Sequence, residues 1–236
     1  MFPEVLTFGR TGFADELLHG ALVTLYIAVA AFLIGLALGL AGAMAKLYGG
    51  PVTRLIANIY TTVIRSVPDL VLILFLFFAG TRGISAIGVM IGFGPVTING
   101  TAAAILVLGF VQGAYSTEIL RGAIEAIPIG QIEAAKAYGM STFQTFNRIL
   151  IPVMLPNAIP GLSNLWLEAI KSTSLIMVTG ASAELGGTTR AAASFTKRYF
   201  MFYFVSLLIY LAMTLVSNVF LQRLERYVRR GQPKLA

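Results

Sequence analysis

The sequence predicts an all-α fold: a polytopic membrane helical bundle of about five transmembrane helices in a single domain over residues 1–236. Three observations predict it. Hydrophobic residues make up 57% of the chain and charged residues only 11%, against about 25% charged in an ordinary soluble domain. Mean hydropathy is +0.84, too high for a single core under a polar shell, so lipid must solvate most of the surface. The apolar residues also come in long runs that do not alternate, which disfavours a β-barrel and leaves helices to satisfy the backbone in hydrocarbon.

Each run approaches the ~20 residues a bilayer requires. The first covers 17–45 and carries Gly35, Gly39 and Gly42, small residues that let another helix approach closely. The second covers 55–79 and is interrupted by Arg65, Pro68 and Asp69. The third, 101–124, holds Gly109, Gly113, Ala114 and Ser116, again small. The fourth, 152–179, contains Pro156, Pro160, Asn164, Glu168 and Lys171, and the fifth covers 200–221. Glu4, Asp15 and Glu16 precede the first run in place of a basic patch, and that run is too long for a signal sequence, so no cleaved leader is expected.

Other classes fall away on composition. The chain has no cysteine and one histidine, so His19 lacks the companions a metal site needs. The net charge of +7 does not point to nucleic acid, because the basic residues gather outside the apolar runs, as membrane topology demands. One set of connections holds Lys46, Arg54, Lys136, Arg148, Arg223, Arg226, Arg229, Arg230 and Lys234. The other set holds Arg10, Arg82, Arg190, Lys197 and Arg198. The richer set belongs in the cytoplasm, which puts the N-terminus outside, the C-terminus inside, and the loops 80–100 and 181–197 in the periplasm. Each of those loops has the Gly, Ser and Thr content for a short surface helix.

The connection between the third and fourth runs, 128–152, reads PIGQIEAAKAYGMSTFQTFNRILIP. A helix from about Gln131 should stop at Gly139, where glycine accepts a left-handed conformation. A second should open at Ser141 with Gln144 three residues on, a capping-box spacing, and end near Pro152, which cannot continue the backbone ladder. Ile132, Tyr138, Phe143, Phe146 and Ile149 give this elbow apolar faces, and Glu133, Lys136 and Arg148 give it polar edges. Such a pair suits either docking into a groove of a partner or packing on its own bundle.

This stretch resembles the EAA loop of ABC importer permeases: Glu133, Ala134, Ala135, then Gly139, then Ile149 and Pro152, with Ile151 where leucine is usual. The segments TTVIRSVPDLVLILF, AYSTEILRGAIEAIPIGQIEAA and LEAIKSTSLIMVTG extend the resemblance over nearly the whole chain, to the permeases of polar amino acid importers. It is strongest for the histidine/lysine/arginine/ornithine class, with its octopine and nopaline relatives. The resemblance implies a bacterial inner-membrane location, a second permease subunit that is homologous or identical, and two cytoplasmic ABC ATPase subunits that bind ATP and Mg. It also implies a periplasmic solute-binding protein and an amino acid substrate, most simply a basic one, with opines or other polar amino acids as the alternative. The chain itself has no GxxxxGK[ST] loop, HExxH or GxSxG, so no catalytic residue or cofactor is expected in it. An intramembrane enzyme or a secondary transporter is a remote reading.

Charges inside spans are costly and usually functional. Arg65, Asp69, Glu118, Glu168 and Lys171 are therefore candidates for the substrate path, with Ser172 and Thr173 as candidates for a substrate carboxylate. Asp69 and Glu168 fall roughly 21 and 24 Å along their runs at 1.5 Å per residue, at similar heights, where a cationic group would relieve their mutual repulsion. Glu118 falls nearer the level of Arg65, which suggests a structural or gating pair. Two other pairings compete with a substrate role: Arg65 with Asp69, four apart, and Glu168 with Lys171, three apart, on one helix face. Trp166 reads as a packing residue.

Overall fold

The structure is a computed structural model and describes residues 7–9, 12–180 and 183–230; Glu4, Arg10 and Lys234 lie outside the described residues. In chain order the helices are α1 Ala14–Tyr48, α2 Pro51–Ser66, α3 Asp69–Met90, α4 Gly100–Glu125, α5 Ile129–Ala137, α6 Thr142–Thr145, α7 Ile151–Ser172, α8 Leu185–Thr196 and α9 Tyr199–Val228. Five stretches are long and apolar enough to cross a bilayer: α1, α3, α4, the continuous helical segment Thr142–Thr179, and α9.

Local chemistry sets the boundaries. Gly49 and Gly50 end α1, and Pro51 opens α2 at the position where a missing N–H is harmless. Asn99 caps α4 by accepting from the Thr101 N–H at 2.8 Å. The second run divides into two helices rather than one. Val67, immediately before Pro68, is extended at φ −99° and ψ 140°, the conformation a following proline imposes. The membrane-length helix therefore begins at Asp69 and runs to Met90, through residues expected in a loop. Arg65 and Asp69 consequently lie on different helices, and no ion pair joins them among the described residues.

The expected stop at Pro152 is also corrected. Residues 146–150 form a π turn in which the Ile151 N–H reaches back to the Phe146 carbonyl. This wider turn carries the ladder past Pro152, which lies in the first turn of α7. The second helix of the elbow is thus continuous with the fourth span.

The bundle is built around α1 and α4, which pack in parallel on small residues. A β-carbon on Gly35 would lie 2.7 Å from Cβ of Gln112, one on Gly39 would strike Ser116, and one on Gly113 would lie 2.8 Å from Cβ of Leu38. Ala31, Gly35, Gly39 and Ala43, all buried, recur every four residues along this seam, so the backbones close together and dispersion replaces the missing hydrophobic drive between helices in lipid. α7 runs antiparallel to α4: Gly161 meets Ile119, and Glu168 and Ser172 share a cavity with Tyr115 and Leu108.

Three apolar clusters stack along the axis. One joins Leu17 and Ala21 to α8 and the start of α9. The central one includes Ile27, Ile73, Leu108 and Ile176. The third, at the elbow end, holds Ala43, Leu120, Ile127, Leu150 and Met154. The elbow and the basic end of α9 therefore share one side of the bundle. α8 was expected as a surface helix, but its Leu185, Ala192 and Ala193 are buried; Gly20 admits it, since a β-carbon there would sit 3.0 Å from Cα of Leu185.

Candidate functional site

Asp69 opens α3 just after the proline break, and a first-turn carboxylate complements the positive end of the helix dipole. Its Oδ1 accepts from the Tyr115 hydroxyl at 3.2 Å. Across from it, α7 presents Glu168. Both carboxylates line one cavity of about 260 Å³, together with Ile73, Leu108, Val111, Gln112, Tyr115, Leu165 and Ser172. Glu168 pairs with Lys171 at 2.8 Å on the same helix face. Asp69 has no cationic partner among the described residues. Gln112 was not singled out from the sequence: it is buried, and its side-chain oxygen has no hydrogen-bond partner, so an acceptor stands ready for a ligand. Its place as a polar residue in the middle of a small-residue run was a signal that could have found it.

The remaining candidates distribute differently. Ser172 is buried on the cavity wall. Thr173 is not on that wall; its hydroxyl donates to the Ile170 carbonyl at 2.8 Å. Arg65 and Glu118 do not pair with each other. Arg65 stacks over the Tyr115 ring, 5.9 Å from the centroid. Glu118 instead accepts from Lys46 at 2.5 Å and from Arg121 at 3.0 Å, and Lys46 also reaches the Thr61 hydroxyl at 2.6 Å. These groups surround a second, polar chamber of about 530 Å³ lined by Lys46, Thr61, Thr62, Arg65, Ser66, Tyr115 and Glu118. Tyr115 belongs to both cavities, so one side chain forms the wall between them.

In the elbow, α5 ends before Gly139, whose φ is +73°. Ser141 caps α6, with both halves of the box formed with Gln144. Glu133 and Ala134 are exposed, Ala135 is buried, and Ile149 is half-buried below. The apolar side chains of Ile129, Tyr138 and Phe143 project outward, Tyr138 87% exposed.

At the opposite end lies a carboxylate that the sequence reading missed. Glu184 caps α8, accepting from Gly186 N and Gly187 N, each at 2.7 Å, and from the Tyr210 hydroxyl at 3.1 Å. It also bonds Thr24, so α1, α8 and α9 meet on one fully buried side chain. Burial pushes its carboxyl above the ordinary carboxylate value, and the two backbone N–H groups oppose that shift. Trp166 does pack, edge to face on Phe32 at 5.5 Å.

A family profile described as binding-protein-dependent transport system inner membrane component matches residues 31–231. The chain belongs to that family. It is a multi-pass inner-membrane permease component and not the ATP-hydrolysing enzyme, which in such systems is a separate subunit. It is 43% identical over 215 residues to the histidine/lysine/arginine/ornithine transport system permease protein HisQ of Salmonella typhimurium, covering 91% of this chain and 94% of that one. It is 37% identical over 233 residues to the nopaline transport system permease protein NocQ of Agrobacterium fabrum, covering 96% and 97%. The crystal structure of an amino acid ABC transporter with histidines superposes with a TM-score of 0.76 at 30% identity, over 91% of this chain and 95% of that one.

Proposed function

We propose that this permease carries basic amino acids inward in an ATP-driven importer, and that Asp69 and Glu168 hold the cationic end of the substrate. The observation that carries the reading is the shared cavity. Two carboxylates line it, no cation does, and Lys171 neutralises only Glu168. An ammonium or guanidinium entering between them gains charge-assisted hydrogen bonds in a low-dielectric surrounding. Gln112 adds a neutral acceptor, and Ser172 on the cavity wall offers a hydroxyl to a substrate carboxylate, with Lys171 next to it in sequence but off that wall and paired with Glu168. The volume of about 260 Å³ is just below the usual range for drug-sized ligands and suits a single amino acid.

In this reading the elbow side faces the cytoplasm, because Lys46, Arg54, Lys136, Arg148 and the arginines of α9 all gather there. Residues 128–152 dock an ATPase subunit that binds ATP and Mg, with Tyr138 and Phe143 as the contact. Since α6 continues into α7 through the π turn, a push on the elbow is delivered to the helix that carries Glu168. A second permease subunit covers the open side of the cavity, and a periplasmic solute-binding protein delivers the substrate to the opposite face. There Arg82, Arg190, Lys197 and Arg198 offer positive charge for encounter. The resemblance to the nopaline permease supports opines as a second substrate class.

The test is uptake of labelled arginine and histidine into proteoliposomes holding the assembled complex. Asp69→Asn with Glu168→Gln should lower uptake at least about tenfold, the effect of losing one or two charge-assisted bonds, while the complex stays assembled. Wild-type uptake by that variant would refute the site.

A further inference from the structure

α7 inverts the pattern expected of a helix in lipid. Between Val153 and Ser172 its exposed residues are Asn157, Asn164, Glu168 and Lys171, and every apolar side chain in that stretch is buried or half-buried. Spacings of seven, four and three residues keep these four on one face. From Asn157 to Lys171 the stripe extends about 21 Å at 1.5 Å per residue, most of a ~30 Å hydrocarbon layer. A charged side chain facing lipid at mid-helix costs about 2.5–3.5 kcal/mol, so this face is not a lipid face. Near one end of the stripe, Glu168 is on the wall of the carboxylate cavity. The other end, Asn157, is about one turn beyond Pro152, at the elbow side of the bundle.

We infer that Asn157 and Asn164 line the aqueous leg by which substrate leaves the Asp69–Glu168 cavity toward the elbow side. The chemistry suits passage rather than capture. A neutral amide both donates and accepts, so it can meet an ammonium, a guanidinium or a carboxylate in turn without holding any of them as an ion pair would. This inference rests on the reading of the cavity as the substrate site and adds the route away from it.

The chain has no cysteine, so single introduced thiols report without background. In the assembled complex, Asn157→Cys and Asn164→Cys are treated from the elbow side with a membrane-impermeant, positively charged methanethiosulfonate. Leu215→Cys, 56% exposed among apolar neighbours on α9, serves as the lipid-facing control. The two path thiols should react on the order of a hundredfold faster than the control, because the reagent needs a hydrated thiolate, and their modification should block arginine uptake. Reaction as slow as the control, with and without ATP, overturns the inference, as does fast reaction that leaves uptake intact. Labelling is scored only on assembled complex. Asn157→Leu with Asn164→Leu provides a second measurement: arginine uptake should fall at least tenfold with arginine binding retained, and unchanged uptake overturns the inference. Labelling does not require bound substrate. Fast, blocking labelling beside a fully active Asp69→Asn, Glu168→Gln variant would therefore reject the cavity site and keep the route, and the opposite pair of results would reject the route alone.

Discussion

α7 and α9 are both membrane-length helices, yet they expose opposite chemistry. α9 shows Phe204, Leu207, Leu208, Leu211, Leu215, Val219 and Phe220 to its surroundings and buries only Met201, Phe202 and Ser206, all near its start. α7 buries Met154, Ile159, Leu165 and Ile170 and exposes two asparagines, a glutamate and a lysine. Hydropathy ranks both as spans. The difference separates them by the neighbour each suits: α9 offers lipid an apolar surface, and α7 offers the polar face proposed above to meet water and substrate. A hydrophobic span therefore says that a helix crosses the bilayer, and the residues left exposed say what it crosses beside.

The comparison can be broken most sharply by exchanging charge between the two faces. Leu211→Asp on α9 should cost about 2.5–3.5 kcal/mol of insertion free energy and sharply reduce the yield of assembled complex from membranes. Asn164→Asp on α7 should leave that yield close to wild type if its face lines the proposed aqueous route. Equal losses for the two would mean that both faces meet the same solvent.

A smaller effect is expected where α9 is tied down. Glu184→Ala leaves two backbone N–H groups and the Tyr210 hydroxyl without their acceptor, at about 1–3 kcal/mol, and should lower the thermal midpoint of the purified complex. The pH dependence has a definite sign. Burial raises the Glu184 carboxyl in the folded protein, so its contribution is fully present below the unfolded value of ~4.3 and is lost as pH rises through the higher folded value. The thermal midpoint of wild type relative to Glu184→Gln should therefore decline on going from acid to neutral pH. A difference that grows with pH would show that the backbone donors outweigh burial.

The sequence made the local features legible. Long apolar runs marked the number of spans, although the second is Asp69–Met90 and not 55–79; small residues marked the α1–α4 seam, and Gly139 and Ser141 marked the two turns of the elbow. Asp69 and Glu168 do line one cavity, but the unbroken rise from residue 55 that put them at one height does not exist, because the chain breaks at Val67 and Asp69 opens a new helix. What was hidden depended on direction or on distant partners. Pro68 and Pro152 are the same residue type, yet one breaks the chain into α2 and α3 while the other is bridged by a π turn, and nothing within a few residues distinguishes those outcomes. Lys46 meets Glu118 across 72 positions, and the backbone of Leu185 bonds Thr24 across 161; such pairings are set by how the helices stack. Arg65 was placed by spacing beside Asp69 and by level beside Glu118, and the break at Val67 turned it onto Tyr115 instead.

The most direct test of the account is binding without the delivery step. Labelled arginine is titrated onto the detergent-solubilised complex of permease and ATPase subunits in the absence of the solute-binding protein. The account predicts saturable binding by wild type and at least about tenfold weaker binding by Asp69→Asn with Glu168→Gln, since each charge-assisted bond contributes about 1.5–3 kcal/mol. Equal affinity of the two complexes would contradict it, and would place the recognition of the cation elsewhere than between α3 and α7.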